Sequence, residues 1–247
     1  MDKLQVALLI VSLCFLPLII WMFVAGIRVK TRFAKYSTVM SAKGYTGAQA
    51  ARAILDANGL NDVQIVRCAG SLTDHYDPTT RTVALSQTTH DSSSVAAIGV
   101  AAHEVGHAIQ HEDDYLPVKI RTKLVPVVNF TSKLSMPLIL IAMVFELMGY
   151  FSEFSMNVST FFLGLAVLCY FCYCLFTFIT LPTEYNASSR AKKQLVECGI
   201  LDESEMADAS KVLSAAAKTY LVNFVFSLMQ MLRLLLIVLV RRNGRRR

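Results

Sequence analysis

The stretch Ala101-Ala102-His103-Glu104-Val105-Gly106-His107-Ala108-Ile109-Gln110 decides how the rest of the chain is read. It carries His-Glu-x-x-His inside a helix predicted over residues 93–112. Side chains four apart share one helical face, so both imidazoles can reach one metal ion. Glu104 stands beside them, where a carboxylate can take a proton from water activated by that ion. Small residues (Ala97, Gly99, Ala101, Ala102, Gly106, Ala108) surround the motif and allow close packing. Asp91-Ser92-Ser93-Ser94 offers N-caps for this helix. The competing reading is a chance pentapeptide, or two histidines in a polar core. The helical context and a carboxylate further along favour the metal.

His111 lies on the same face but cannot share the ion. Eight residues of helix separate it from His103 by about 12 Å, against the ~4 Å that two zinc–nitrogen bonds span. The longer motif with a glycine and a third histidine also fails, because Gln110 and Asp113 occupy those places. A third ligand must come from elsewhere.

Composition sets the surroundings. Of 247 residues, 54% are hydrophobic, too many for an ordinary soluble domain. Lys and Arg outnumber Asp and Glu by 24 to 18, and much of that excess flanks apolar runs. It reads as a topology signal and as contacts with anionic lipid, not as a nucleic-acid surface. The six cysteines form no disulfide framework. Cys169, Cys172 and Cys174 resemble a metal motif only in spacing, and inside an apolar helix they read as packing.

Residues 4–27 form the first membrane candidate, followed directly by Arg28, Lys30, Arg32 and Lys35. The positive-inside rule puts the next region in the cytoplasm. A short amphipathic helix is expected over 46–58, with Thr46 as N-cap and Gly59 as stop. Strands are expected at 63–67 and 82–86, with a turn at Asp74-His75-Tyr76-Asp77-Pro78 between them. The second strand is read as having a free edge that could take an extended peptide, or simply as covering the core. His75 and Asp77 either face the cleft or hold the turn.

Residues 116–133 are mixed, with Pro117 and Pro126 as breaks. Residues 134–151 and 158–181 read as a membrane hairpin whose connection, marked by Glu146 and Glu153, carries no Lys or Arg. It returns the chain to the side of the metal helix. There Pro182 suits the first turn of a new helix, and Glu184 projects from that turn. Alone it would be a carboxylate at a helix dipole. Beside His103 and His107 it becomes the third ligand, and two histidines, one carboxylate and one water complete a catalytic zinc site. That helix is expected to stop at Gly199. Another, capped by Asp202, runs from Glu203 into the apolar run 221–240, which holds Arg233. Four spans put the basic tail on the wrong side for the positive-inside rule, so the last helix is either a full span or a re-entrant one.

With these residues in place, the chain resembles the YugP-type neutral zinc metallopeptidases of bacterial membranes, similar in outline to the HtpX and Ste24 peptidases. The likeness rests on the 101–110 stretch, on Thr73-Asp74-His75-Tyr76-Asp77-Pro78, and on Glu184-Tyr185-Asn186-Ala187-Ser188-Ser189-Arg190-Ala191. It implies that His103, His107 and Glu184 bind zinc and that Glu104 is the base. The HtpX-like pattern has an aspartate where Ser188 stands here. Ser188 can hydrogen-bond a ligand histidine without adding charge, and Asn186 is the alternative partner.

The expected fold is mainly α: a multi-pass membrane protein with a small zincin-like α+β domain carrying a short sheet and the metal helix. Its parts are a first span (1–27), a cytoplasmic region with the metal helix (28–133), a hairpin (134–181), helices with the third ligand (182–220), and an apolar helix with a basic tail (221–247). The expected function is zinc-dependent hydrolysis of membrane or membrane-proximal polypeptides, with the active site on the cytoplasmic side of the cell membrane. His75, Tyr220 and Arg190 are candidate donors to the oxyanion, although Tyr220 also suits an interfacial anchor. A zinc-stabilised scaffold that binds a partner protein is the rival reading. A channel is disfavoured by how few polar residues lie within the spans.

Overall fold

Ser94 ends an extended approach, and its Oγ accepts the Ala97 N–H at 3.2 Å. That cap starts the metal helix, α5 (Val95–Glu112), as its serine-rich leader predicts. The computed structural model describes residues 3–148 and 153–244. Its elements are α1 (Lys3–Leu13), α2 (Phe15–Tyr36), α3 (Gly47–Ala57), β1 (Gln64–Cys68), β2 (His75–Asp77), β3 (Thr82–Ser86), α4 (Gln87–His90), α5, α6 (Leu116–Met148), α7 (Glu153–Glu197) and α8 (Glu203–Gly244). They fall into two compact units.

The first unit comprises Val24–Lys119 and Leu181–Tyr220. Thr46 and Gln49 form a reciprocal capping box at α3, and Gly59 takes a left-handed φ of +74° just after it, as the sequence predicts. One apolar core gathers Ile54 and Leu55 of α3, Val83 and Leu85 of β3, Ile98 and Val105 of α5, and Leu195 of α7. Burial of these side chains drives the assembly.

The sheet corrects two expectations. Within the expected turn, His75–Asp77 is itself a strand, antiparallel to β3. The turn proper follows, where Asp77 accepts from the Thr79 N–H and the Thr80 hydroxyl at 2.9 and 2.8 Å. The strand order is β1-β3-β2, with β1 parallel to β3. The strand before the metal helix is therefore central and has no free edge. Asp74 secures it by accepting both the Ser86 N–H (2.7 Å) and the Ser86 hydroxyl (3.0 Å).

The second unit comprises Met1–Phe23, Ile120–Thr180 and Leu221–Arg247. Four helical stretches are long and apolar enough to cross a membrane: Lys3–Tyr36, Leu116–Met148, Glu153–Glu197 and Glu203–Asn243. Phe23, Phe130, Leu140, Phe161 and Phe171 stay exposed, as faces turned to lipid would be. The prolines interrupt less than expected. Pro126 and Pro137 lie inside α6, and Pro182 lies inside α7. Each removes one backbone donor, yet the helix continues on both sides. Pro182 therefore does not begin a helix. The small break between α1 and α2 falls where Pro17 cannot donate to the Leu13 carbonyl.

Helices α6 and α7 pack through Leu138, Ala166 and Cys169. Cys169, Cys172 and Cys174 are all free thiols. Leu234 of α8 joins Ala142 and Leu163, and a buried Thr177–Ser227 hydroxyl pair at 2.8 Å links α7 to α8. The Arg233 guanidinium lies 5.1 Å from the Phe15 ring centroid, a cation–π contact. Near the C-terminus Arg241 donates to Ser159 Oγ at 3.0 Å and pairs with Glu146. This carries α8 along the whole unit, to the end where α6 finishes and α7 starts. Glu146 thus offsets one of the basic charges at this end of α8.

Candidate metal centre

Two elements make the site. Helix α5 carries His103 and His107 one turn apart, with ring centroids 4.8 Å apart. Helix α7, past its apolar run, brings Glu184. Gly106 lets the two approach: a Cβ there would stand 2.6 Å from the Ala187 carbonyl oxygen. Hydrogen is the only side chain this crossing admits.

The Glu184 Oε2 atom lies 3.2 Å from His103 Nε2 and 3.5 Å from His107 Nε2. A tetrahedral ion with bonds of about 2.0–2.1 Å holds its donors about 3.3–3.4 Å apart. Among the described residues, His103, His107 and Glu184 are the His/Cys/Asp/Glu group able to share an ion, with ligand atoms within 4.8 Å of one another. Two nitrogens and one carboxylate oxygen suit zinc. Glu184 is 2% exposed, while the imidazoles keep 14% and 15%. The group is thus closed behind the carboxylate and open beside the rings, where a fourth donor has access. Burial pushes the Glu184 carboxyl up, but the hydrogen bonds from both histidines outweigh it and hold that carboxyl well below the ordinary carboxylate range. Burial likewise opposes the His107 imidazolium, yet the hydrogen bond and charge of Glu184 raise its pKa above the ordinary 6.5. A proton and a metal ion therefore compete for this group.

The outer ring nitrogens are also held. Ser188 Oγ lies 3.1 Å from His103 Nδ1, the contact expected from its place in the motif. His107 Nδ1 lies 3.0 Å from Gln110 Oε1. Sequence reasoning missed Gln110 in this role. It is fully buried, and its amide nitrogen donates to the Thr183 carbonyl at 2.8 Å and to Asn186 Oδ1 at 2.9 Å. Both donor hydrogens are thereby used, so the amide oxygen must face His107 and accept its Nδ1–H. In the neutral ring that leaves the Nε2 lone pair for a metal ion, whereas in the imidazolium the same atom donates to Glu184. The available signal was its spacing: Gln110 follows His107 by three on one helical face. Asn186 thus supports His107 at one remove, through Gln110. Gln110→Leu is expected to weaken zinc binding about 10–100-fold, read by competition with a chromophoric chelator.

Glu104 is buried on α5, beside His103. Arg190, a candidate oxyanion donor, is already engaged: Nε donates to Asn186 Oδ1 at 2.8 Å, the guanidinium pairs with Asp113, and it lies 6.0 Å from the Tyr115 ring centroid. His75 is exposed on β2, with Nδ1 2.9 Å from the Thr73 carbonyl, and stands outside the ligand group. Tyr220 is half-buried in α8 at the edge of this unit. His111 is also apart from the group, 6.1 Å from the Tyr76 ring centroid.

Long apolar helices joined to a buried His-His-Glu group define a metal-centre protein of membrane type. Comparison with known proteins takes this further. Residues 11–239 match the family described as "Putative neutral zinc metallopeptidase", and the chain belongs to that family. It is 45% identical over 223 residues to "Putative membrane protease YugP" of Bacillus subtilis (strain 168), covering 90% of this chain and 92% of the relative. No solved structure matches the chain. Zinc is accordingly the metal of this family, and the donor set above fits it.

Proposed function

We infer that the protein is a membrane-embedded zinc metalloendopeptidase of the gluzincin kind, acting on membrane or membrane-proximal polypeptides from the cytoplasmic side. The observation that carries this reading is the convergence of His103, His107 and Glu184 beside Glu104. In this reading His103, His107 and Glu184 hold the zinc. The bound ion supplies Lewis acidity toward a peptide carbonyl and toward water. Glu104 accepts the proton of the attacking water and later hands it to the leaving amine. Ser188 and Gln110 orient the two imidazoles, with Asn186 behind Gln110. Arg190 ties α7 to Asp113, which leaves His75 and Tyr220 as the donors to test at the oxyanion, through His75→Gln and Tyr220→Phe.

The test uses the full chain purified in detergent with zinc and incubated with unfolded casein. The expected result is cleavage that a chelator stops and added zinc restores. Full zinc content without cleavage of casein or of membrane-protein substrates would favour the scaffold reading instead.

A further inference from the structure

A second site lies away from the ligand group. Helix α2 presents Arg28 and Arg32 four residues apart, hence on one face. Helix α8 presents Ser210, Ser214 and Lys218, also at intervals of four. These two stripes line a cleft of about 490 Å³, joined by Lys211 and Ala215. Lower down the helices close together, with Phe33 and Tyr36 of α2 packed with Val212 of α8 and Lys211 Nζ 5.6 Å from the Tyr36 ring centroid. Beside that contact, Ser210, Ser214 and Ala215 are too small to fill the space, so the cleft stays open.

Its charge is one-sided. Lys211 pairs with Asp208 at 2.8 Å. Among the described residues, no carboxylate pairs with Arg28, Arg32 or Lys218. Three cations and two hydroxyls around one cleft make a receptor for a phosphate-type anion. Both helices become apolar at its rim: α2 is apolar up to Ile27, and α8 from Leu221. A ligand seated here has its charged end against the arginines and its other end beside residues suited to lipid. That combination matches a phospholipid better than a soluble phosphate.

We propose that this cleft binds the phosphate headgroup of an anionic phospholipid, held by Arg28, Arg32 and Lys218 with Ser210 and Ser214 as donors. The inference does not depend on peptidase activity. It is tested on the full chain, purified with its zinc and reconstituted in phosphatidylcholine nanodiscs carrying a minor fraction of phosphatidylglycerol. Lipid retained per chain is counted by native mass spectrometry. The wild type is expected to retain phosphatidylglycerol over phosphatidylcholine by at least about tenfold.

Arg28→Gln/Arg32→Gln is expected to lose that preference. Ser210→Leu keeps every charge and fills the cleft, and it should lose the preference too. Arg67→Gln/Lys193→Gln, an equal loss of charge at two exposed positions that do not line the cleft, should retain it. Zinc content and thermal midpoint report whether each variant is folded. Equal retention of the two lipids, or an equal loss in the Arg67/Lys193 variant, would overturn the proposal in favour of diffuse surface charge. Displacement of the lipid by millimolar inorganic phosphate would overturn it in favour of a soluble anion.

Discussion

Glu104→Gln is expected to lower peptide cleavage about 10³-fold, within the range for loss of a general acid–base group, while zinc content stays that of the wild type. The substitution preserves shape, and the new amide can still hydrogen-bond a water molecule. It cannot accept that water's proton. Glu104 is not one of the three groups within sharing distance of an ion, so its loss leaves the donor set intact. The two measurements, metal content and cleavage rate, must therefore separate. His103→Ala should instead lower both together, because it removes a donor. If Glu104→Gln cleaves at the wild-type rate, either the base is another residue or the activity is a contaminant; a parallel preparation of His103→Ala tells these apart. If zinc falls along with cleavage, Glu104 has a structural part in the site, and its role as base loses support.

The parts of this site that could be read in the sequence are the local ones. His103 and His107 are four residues apart in one helix, and helical geometry alone puts them together. Glu184 was reachable because an apolar hairpin must bring the chain back to its starting side. Ser94, Thr46 and Gly59 obey capping rules that act within a few residues. What escaped depends on distant partners. Gln110 gains its role only when the Thr183 carbonyl and Asn186 arrive from α7. The central place of β3 depends on a parallel pairing with β1, for which no local turn is a signal. Pro126, Pro137 and Pro182 favour a break locally, but each costs one hydrogen bond while long apolar stretches on both sides stay helical. The cationic cleft likewise needs α2 and α8 side by side, although its 28/32 and 210/214/218 spacings stand plainly in the chain.

Gly106→Ala and Gly99→Ala are expected to diverge sharply, although both place a methyl group on the same helix. At Gly99 the new Cβ would lie 3.5 Å from the Ala209 Cβ, an ordinary contact. Removing a helical glycine there should raise stability by about 0.5–1 kcal/mol and leave zinc binding alone. At Gly106 the Cβ would stand 2.6 Å from the Ala187 carbonyl oxygen and 3.2 Å from its carbon. That neighbour is backbone and cannot rotate away, so α5 and α7 must separate. Overpacking of this kind costs about 1–3 kcal/mol, but the larger consequence falls on the metal. Glu184 sits three residues before Ala187 on the displaced helix, and its oxygen now lies 3.2 and 3.5 Å from the two ring nitrogens. A shift of about 1 Å takes it beyond a bond length that zinc tolerates to within ~0.2 Å. Zinc affinity should fall at least about 100-fold, and cleavage with it, while circular dichroism still reports a folded helical protein. Unchanged zinc binding in Gly106→Ala would mean that α7 does not supply the third ligand. The site would then be only the two histidines of α5, and the role of Glu184 would have to be abandoned.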